Sequence, residues 1–185
     1  MLFLGLSSLP LMAQDYPRVE VFGGYQYLHI GGGNSNGPTN GEGFNGWNAS
    51  LTGNITHHFG IEGNFGGAYD TVQNVSLKVY TYAGGPVIFT QSGRIKPFAH
   101  VLFGGIHLSG SANGGGSEGS ISWNGYTVMA GGGVDVKANR AIAIRLAEFD
   151  WLYYNFSSTS LDGQSISGFS GNNNVRISSG VVFRF

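Results

Sequence analysis

The sequence predicts an all-β fold, an eight-stranded antiparallel up-and-down barrel that crosses a membrane, with long outer loops and short inner turns. Three observations predict it. Apolar and polar residues alternate with period 2 along nearly the whole chain, and no helical period of comparable length competes. The alternating segments number eight, at roughly 21 residues per strand and connection, close to the ~10-residue span and turn of a membrane barrel. The connections also alternate in length, so long and short ends fall on opposite rims.

Each element follows in order. Val19, Val21, Tyr25 and Tyr27 alternate with Glu20 and Gln26; Trp47, Ala49, Leu51 and Ile55 alternate with Asn48, Ser50, Thr52 and Asn54; Phe59, Ile61 and Phe65 alternate with Glu62 and Asn64. Further strands are predicted over 75–89, 96–109, 122–137, 141–156 and 174–185. The long connections "GGGNSNGPTNGEG", "GSANGGGSEGS" and "SSTSLDGQSISGFSGN" are predicted as mobile loops with few anchors, and "THH", "QSGR" and "ANR" as short turns. Glu42, Asp70, Glu118 and Asp162 make the outer rim mildly acidic, and Arg94, Lys96, Lys137 and Arg140 make the inner rim basic.

Composition limits the function classes. Charged residues are 10% of the 185 and the net charge is -1, which excludes a nucleic-acid surface. With 33 glycines beside 14% aromatics, the chain suits a curved sheet with aromatic girdles, and the absence of cysteine excludes disulfides, thiolate metal sites and a Cys nucleophile. The stretch "MLFLGLSSLPLMAQDYP" reads as an export signal cut after Ala13, truncated because its basic opening is missing; the barrel domain is then 14–185.

The facing of charges separates a soluble sandwich from a membrane barrel. A sandwich places its polar face in water and carries frequent charges there, whereas a lipid-embedded barrel encloses them. Here the polar face is sparsely charged and of mixed sign. Glu20, Glu62, Lys78, Asp135, Arg145, Glu148, Asp150, Arg176 and Arg184 are assigned to a near-neutral lumen network, because each Lys or Arg turned to lipid at mid-depth costs about 2–4 kcal/mol. Arg145 differs in parity from Glu148 and Asp150, so a bulge near Ala147 is required, with Phe149, Trp151 and Tyr153 outward. Strand 96–109 is ambiguous, since Phe98, Leu102 and Ile106 are as apolar as Val101 and Phe103.

Motifs for chemistry are weak. Residues 41–46 and 114–119 fit G-x-G-x-x-G, but neither opens a helix after a buried parallel strand, as a dinucleotide site requires. His57-His58 are adjacent in an extended segment and point apart, with no further ligand beside them, so a solvated turn is expected and no metal or cofactor is assigned. His107 and Ser109, at i and i+2, share a face near the outer rim, and Glu118 in the following loop is placed to orient the imidazole. Polar residues ending a strand where it leaves lipid explain the same pair without catalysis.

The terminal "NVRISSGVVFRF", the pair "GGGVDVKANRAIAIRLAEFDWLYYNF" and the strand "KPFAHVLFGG" resemble the small outer-membrane β-barrels of the OmpA-like and opacity-protein superfamily. The resemblance implies the outer membrane of a Gram-negative bacterium and contact with outer-membrane lipid and lipopolysaccharide. It implies handling by periplasmic chaperones and the barrel-assembly machinery, with Phe183 and Phe185 as the assembly signal, and an unspecified surface ligand for the long loops. The function expected is structural or adhesin-like and non-catalytic, with the lumen plugged by side chains. Two alternatives remain: an esterase like the lipid A deacylases, using His107 and Ser109, and a small diffusion pore, which eight strands disfavour.

Overall fold

The computed structural model describes residues 17–31, 42–72, 75–114, 117–161, 164–168 and 170–185. The expected export signal, 1–13, lies outside them. Among the described residues ten strands form: β1 Val19–Ile30, β2 Glu42–Asn54, β3 Phe59–Val72, β4 Val75–Phe89, β5 Ile95–Gly114, β6 Ser117–Lys137, β7 Ile142–Phe156, β8 Thr159–Leu161, β9 Gln164–Ile166 and β10 Ser170–Arg184. All but β8 and β9 close into one antiparallel barrel in the order β1-β10-β7-β6-β5-β4-β3-β2. Among the described residues no helix is long and apolar enough to cross a membrane, so any crossing is made by strands.

Closure joins the first strand to the last. Glu20 lies opposite Arg184 and Ile30 opposite Asn174, and Val19 and Phe185 exchange backbone hydrogen bonds at the seam (3.2 and 2.8 Å). With no free edge, each strand finds its backbone partners on both sides, as lipid demands. The inner turns are made by local side chains. Thr56 Oγ1 accepts from the backbone N–H of His58 and Phe59 (3.2 and 3.0 Å), and Asn139 Oδ1 accepts from Ala141 and Ile142 (2.8 Å each). At the third inner turn Gly93 adopts φ 59°, which only glycine does freely.

Alternation is strict in β1, where Glu20, Phe22, Gln26, Leu28 and Ile30 are buried and Val21, Tyr25 and Tyr27 are exposed. In β7 it breaks once. Val134 pairs with Ala147 and Asp135 with Arg145, so Leu146 and Ala147 together face one residue; this is the bulge the parity of the charges required. The same irregularity faces β10, where Ser178 pairs with Glu148 and Gly180 with Arg145, and Ser179 Oγ donates to the Arg145 carbonyl (3.1 Å). Arg145, Glu148 and Asp150 are all buried as a result, and Phe149 and Trp151 are exposed.

Two segments differ from expectation. The 110–120 connection, expected as a mobile loop, continues the ladder: Gly110 pairs with Ile121 and Gly114 with Ser117. Mostly small residues satisfy strand pairing there, with Glu118 opposite Asn113. Within the 157–172 connection, β8 and β9 form a separate hairpin, Thr159 opposite Ile166 and Leu161 opposite Gln164. Residues 32–41 and Asp162 lie outside the described residues.

The ambiguous β5 places Phe98, Leu102 and Ile106 inside and Val101 and Phe103 outside. Lys96 and His100 share parity with Phe98, and their charge decides the face. Lys96, expected at the inner turn, is therefore buried in the lumen.

The bulge yields a test. Removing Ala147 leaves Leu146 alone opposite Val134 and Ser179 and keeps Arg145, Glu148 and Asp150 on one face, so the deletion variant is expected to fold. Removing Ala130 from the regular β6 turns Asp135 toward lipid and should prevent folding. Gel mobility of unheated protein in mild detergent, with circular dichroism in micelles, reads both; equal behaviour of the two deletions contradicts this account.

Candidate functional site

The buried charges gather in the inner part of the barrel. Arg176 is essentially inaccessible and reaches two other strands, β7 and β3: Nε and Nη2 donate to Asp150 Oδ2 (2.8 and 2.6 Å), Nη1 to Asn64 Oδ1 (2.9 Å), and Nη2 also meets Glu148 Oε1 at 3.5 Å. Arg145 donates through Nε and Nη2 to Asp135 (2.8 and 3.2 Å) and through Nη1 to Glu148 Oε2, and its guanidinium lies between the rings of Phe22 and Phe98, 4.3 and 4.2 Å from their centroids. Bidentate geometry of this kind is what a buried carboxylate needs to stay ionised away from water.

His100 stands between two acids. Its Nε2 is 2.8 Å from Asp150 Oδ1 and its Nδ1 3.5 Å from Glu62 Oε2, and only the doubly protonated ring donates from both nitrogens. Nearer the inner rim, Lys96 Nζ and Arg184 Nε (3.1 Å) share Glu20, and Lys96 also lies 4.0 Å from the Phe89 ring centroid. Asn48 links the groups by donating to Glu148 (3.3 Å) and Ser178 (3.1 Å). Five acids thus face Lys96, Arg145, Arg176, Arg184 and His100. His100, Glu148 and Asp150 bring donor atoms within 4.8 Å of one another, but the two arginines already occupy both carboxylates.

Lys78, expected in the lumen, stands instead exposed on the outer face, with Tyr80 and Tyr82, while Val79, Thr81 and Ala83 face inward. The lumen beside it is apolar, since its neighbour Val79 packs in one buried cluster with Leu28, Phe44 and Ile106, and it cannot solvate an ammonium. Lys78 also lies near the outer end of β4, where a lipid-facing Lys costs only ~0–1 kcal/mol. The sequence signal that could have found it is the pair Tyr80 and Tyr82, whose phenols suit an interface better than a packed interior.

The outer face carries two polar rows along the paired strands. Tyr27, Asn45, Tyr69, Lys78, Ser109 and Ser122 lie side by side on β1 to β6; the next row inward is Tyr25, Trp47, Gly67, Tyr80, His107 and Asn124. Two rows further inward, Val21, Leu51, Phe103 and Val128 are wholly apolar. The polar rows are internally bonded: Tyr25 to Asn45, Trp47 Nε1 to Tyr69 (3.3 Å) and Tyr69 to Tyr80 (3.4 Å). Glycine makes room for the rings. A Cβ on Gly67 would sit 2.7 Å from the Trp47 indole nitrogen, and one on Gly105 would sit 2.3 Å from the Tyr82 ring.

His107 and Ser109 do share this outward face, half exposed. His107 Nδ1, however, meets Asn124 Oδ1 at 2.7 Å, and no hydrogen bond joins it to Ser109 among the described residues. Glu118 belongs to the extended hairpin rather than a loop; it pairs with Asn113, four pairs beyond Ser109–Ser122, or about 13 Å along the strands. Its side chain lies outside the described ones. His57 and His58 are exposed in the β2–β3 turn, and the described residues of 114–119 are strand. At the seam Phe183 and Phe185 point outward, Phe185 at 73% exposure.

Removing one cation from the cluster leaves a buried carboxylate unpaired. Arg176→Met should cost about 3–5 kcal/mol in urea unfolding from micelles. Combining it with Asp150→Asn should recover a large part of that loss; an Arg176→Met variant as stable as the parent would show that water, not protein, solvates the cluster.

No protein-family model matches the sequence, and no curated protein matches it. Solved structures do. Similar chains include Ail, the attachment invasion locus protein of Yersinia pestis (TM-score 0.60, 16% identity, covering 92% of this chain and 99% of that one). Neisserial surface protein A (TM-score 0.55, 12% identity, 93% and 100%) and the outer membrane protein OprG from Pseudomonas aeruginosa (TM-score 0.54, 8% identity, 92% and 96%) are also similar. Closed topology, inverted facing and these likenesses agree on one architecture: the chain has the fold of the small eight-stranded outer-membrane β-barrels.

Proposed function

We propose that the protein is an integral outer-membrane barrel of a Gram-negative bacterium, non-catalytic, with its interior closed by side chains and a surface-interaction role at its long outer ends. One observation carries this reading. The large apolar residues point outward around the sheet, from Leu51 and Ile61 to Phe103 and Phe149, while the interior holds the charges, an inversion that only a lipid surrounding stabilises. In this reading residues 1–13 are the export signal, 14–185 the barrel, and the interior holds paired charges beneath the apolar cluster of Leu28, Leu102, Met129 and Leu152. Ail has been solved with a heparin analogue, sucrose octasulfate, which supports including sulfated glycans among ligands for the outer ends.

Planar-bilayer recording tests the closed interior. The expected result is at most small, infrequent conductance steps; a large, stable open state assigns the protein to the pores instead. In the same preparation, release of an acyl chain from lipid A, lost in Ser109→Ala, would replace the non-catalytic reading by the esterase.

The terminal residue separates assembly from stability. Phe185 is held by backbone bonds to Val19, and its ring is mostly exposed. Deleting it removes one interfacial side chain, a loss of no more than about 3 kcal/mol, so refolding into detergent should be nearly intact. As the assembly signal its loss should sharply lower the outer-membrane level in cells. Normal assembly of the truncated chain in cells would remove that role from Phe185.

A further inference from the structure

We infer that the inner mouth of the lumen is a binding site for a free oxyanion of the size and charge of phosphate, held by Lys96, Lys137, Arg184 and the Gln91 amide. The inference takes only its compartment, the periplasmic side, from the membrane reading above. It adds a ligand to an end of the barrel which that reading leaves as a basic rim.

Donors outnumber acceptors at this mouth. Lys96 and Arg184 are buried and share the single carboxylate of Glu20. Arg184 uses only Nε for it (3.1 Å), and no acceptor meets its Nη1 or Nη2 among the described residues. Lys137 ends β6 half-buried, and Arg184, Lys96 and Glu20 lie close enough for their charges to act on it. Its Nζ donates to Gln91 Oε1 (2.6 Å), which fixes the amide the other way round: Nε2 is a buried donor without a partner among the described residues. Asp135, whose charge also reaches Lys96, already accepts from two nitrogens of Arg145. The Phe185 carboxylate makes no ion pair with these cations among the described residues.

The chemistry selects the occupant. Three cations and an amide N–H around one carboxylate suit an oxyanion that carries two charges and accepts from several sides at once. A halide balances less of the charge and has no separate oxygens for the guanidinium fork, the ammoniums and the amide. Position excludes a lipid headgroup, since Lys96 and Arg184 share the inward parity of Phe98 and Val182, whereas headgroups ring the outer wall. Phe89 lies 4.0 Å from Lys96 and packs with Phe98, which lies 4.2 Å from Arg145, so aromatic rings rather than carboxylates back the mouth. A buried amide donor without an acceptor is costly, and an anion seated beside Lys137 removes that cost. Bound there, it ties the turn that carries Gln91 to β5, β6 and β10.

Isothermal titration calorimetry of the refolded full chain in phosphate-free, non-ionic micelles tests the site, with inorganic phosphate as the probe at constant ionic strength. Gel mobility of unheated protein first establishes the folded barrel. A chain that does not fold in micelles overturns the membrane reading itself, whereas a folded chain that takes up no phosphate overturns this proposal alone. The expected result is saturable binding of a single phosphate, displaced by sulfate and not by chloride. Lys137→Ala should weaken it about tenfold, the loss of one charge-assisted contact. Gln91→Ala should weaken it less, and Lys78→Ala, on the outer face, should leave it unchanged. Parent affinity in either folded inner-mouth variant overturns the proposal, as does chloride displacing phosphate as readily as sulfate does, which would reduce the mouth to a screened patch of positive charge.

Discussion

A guanidinium on a strand that crosses lipid has one place to go, and the rest of this barrel is arranged around that constraint. Arg176 on β10 reaches Asp150 on β7 and Asn64 on β3, so one side chain ties the seam strand to its neighbour and to the far wall. Arg145 adds Asp135 on β6 and Glu148 on its own strand. Turning either arginine outward would cost several kcal/mol in lipid and strand its acids inside. The register of β3, β6, β7 and β10 is therefore specified from within, and the bulge at Leu146–Ala147 is the local concession that brings Arg145 and Glu148 to the same side.

The outer surface follows a different rule. Lipid asks only for apolar bulk at mid-depth and amphipathic rings at the boundary, and the chain answers with Leu51, Ile61 and Phe103 in the middle and Tyr25, Trp47, Tyr69 and Tyr80 toward the outer rim. Glycines on adjacent strands make room for the rings, as Gly67 does for Trp47 and Gly105 for Tyr82. This is the physical link between the unusual glycine content and the unusual aromatic content.

The fold carries little information about activity, since similar barrels differ in role. What distinguishes this chain is local: a buried cluster in which His100 completes the balance of charges, and an outward face with polar rows on six neighbouring strands.

Alternation at period 2 was by itself enough for eight strands, their antiparallel order, and the bulge, because a parity conflict between Arg145 and Glu148 has no other regular solution. The lumen side of Glu20, Glu62, Asp135, Asp150, Arg176 and Arg184 was legible for the same reason. Tertiary structure decided what parity alone could not. Lys78 sits outward because its inward neighbour Val79 belongs to an apolar cluster with Leu28, Phe44 and Leu152, residues distant in sequence from β4. Lys96 and His100 enter the lumen because Glu20, Glu62 and Asp150 converge on them from three other strands. Depth along a strand and the identity of cross-barrel neighbours are set by closure of the sheet, and a one-dimensional pattern holds neither.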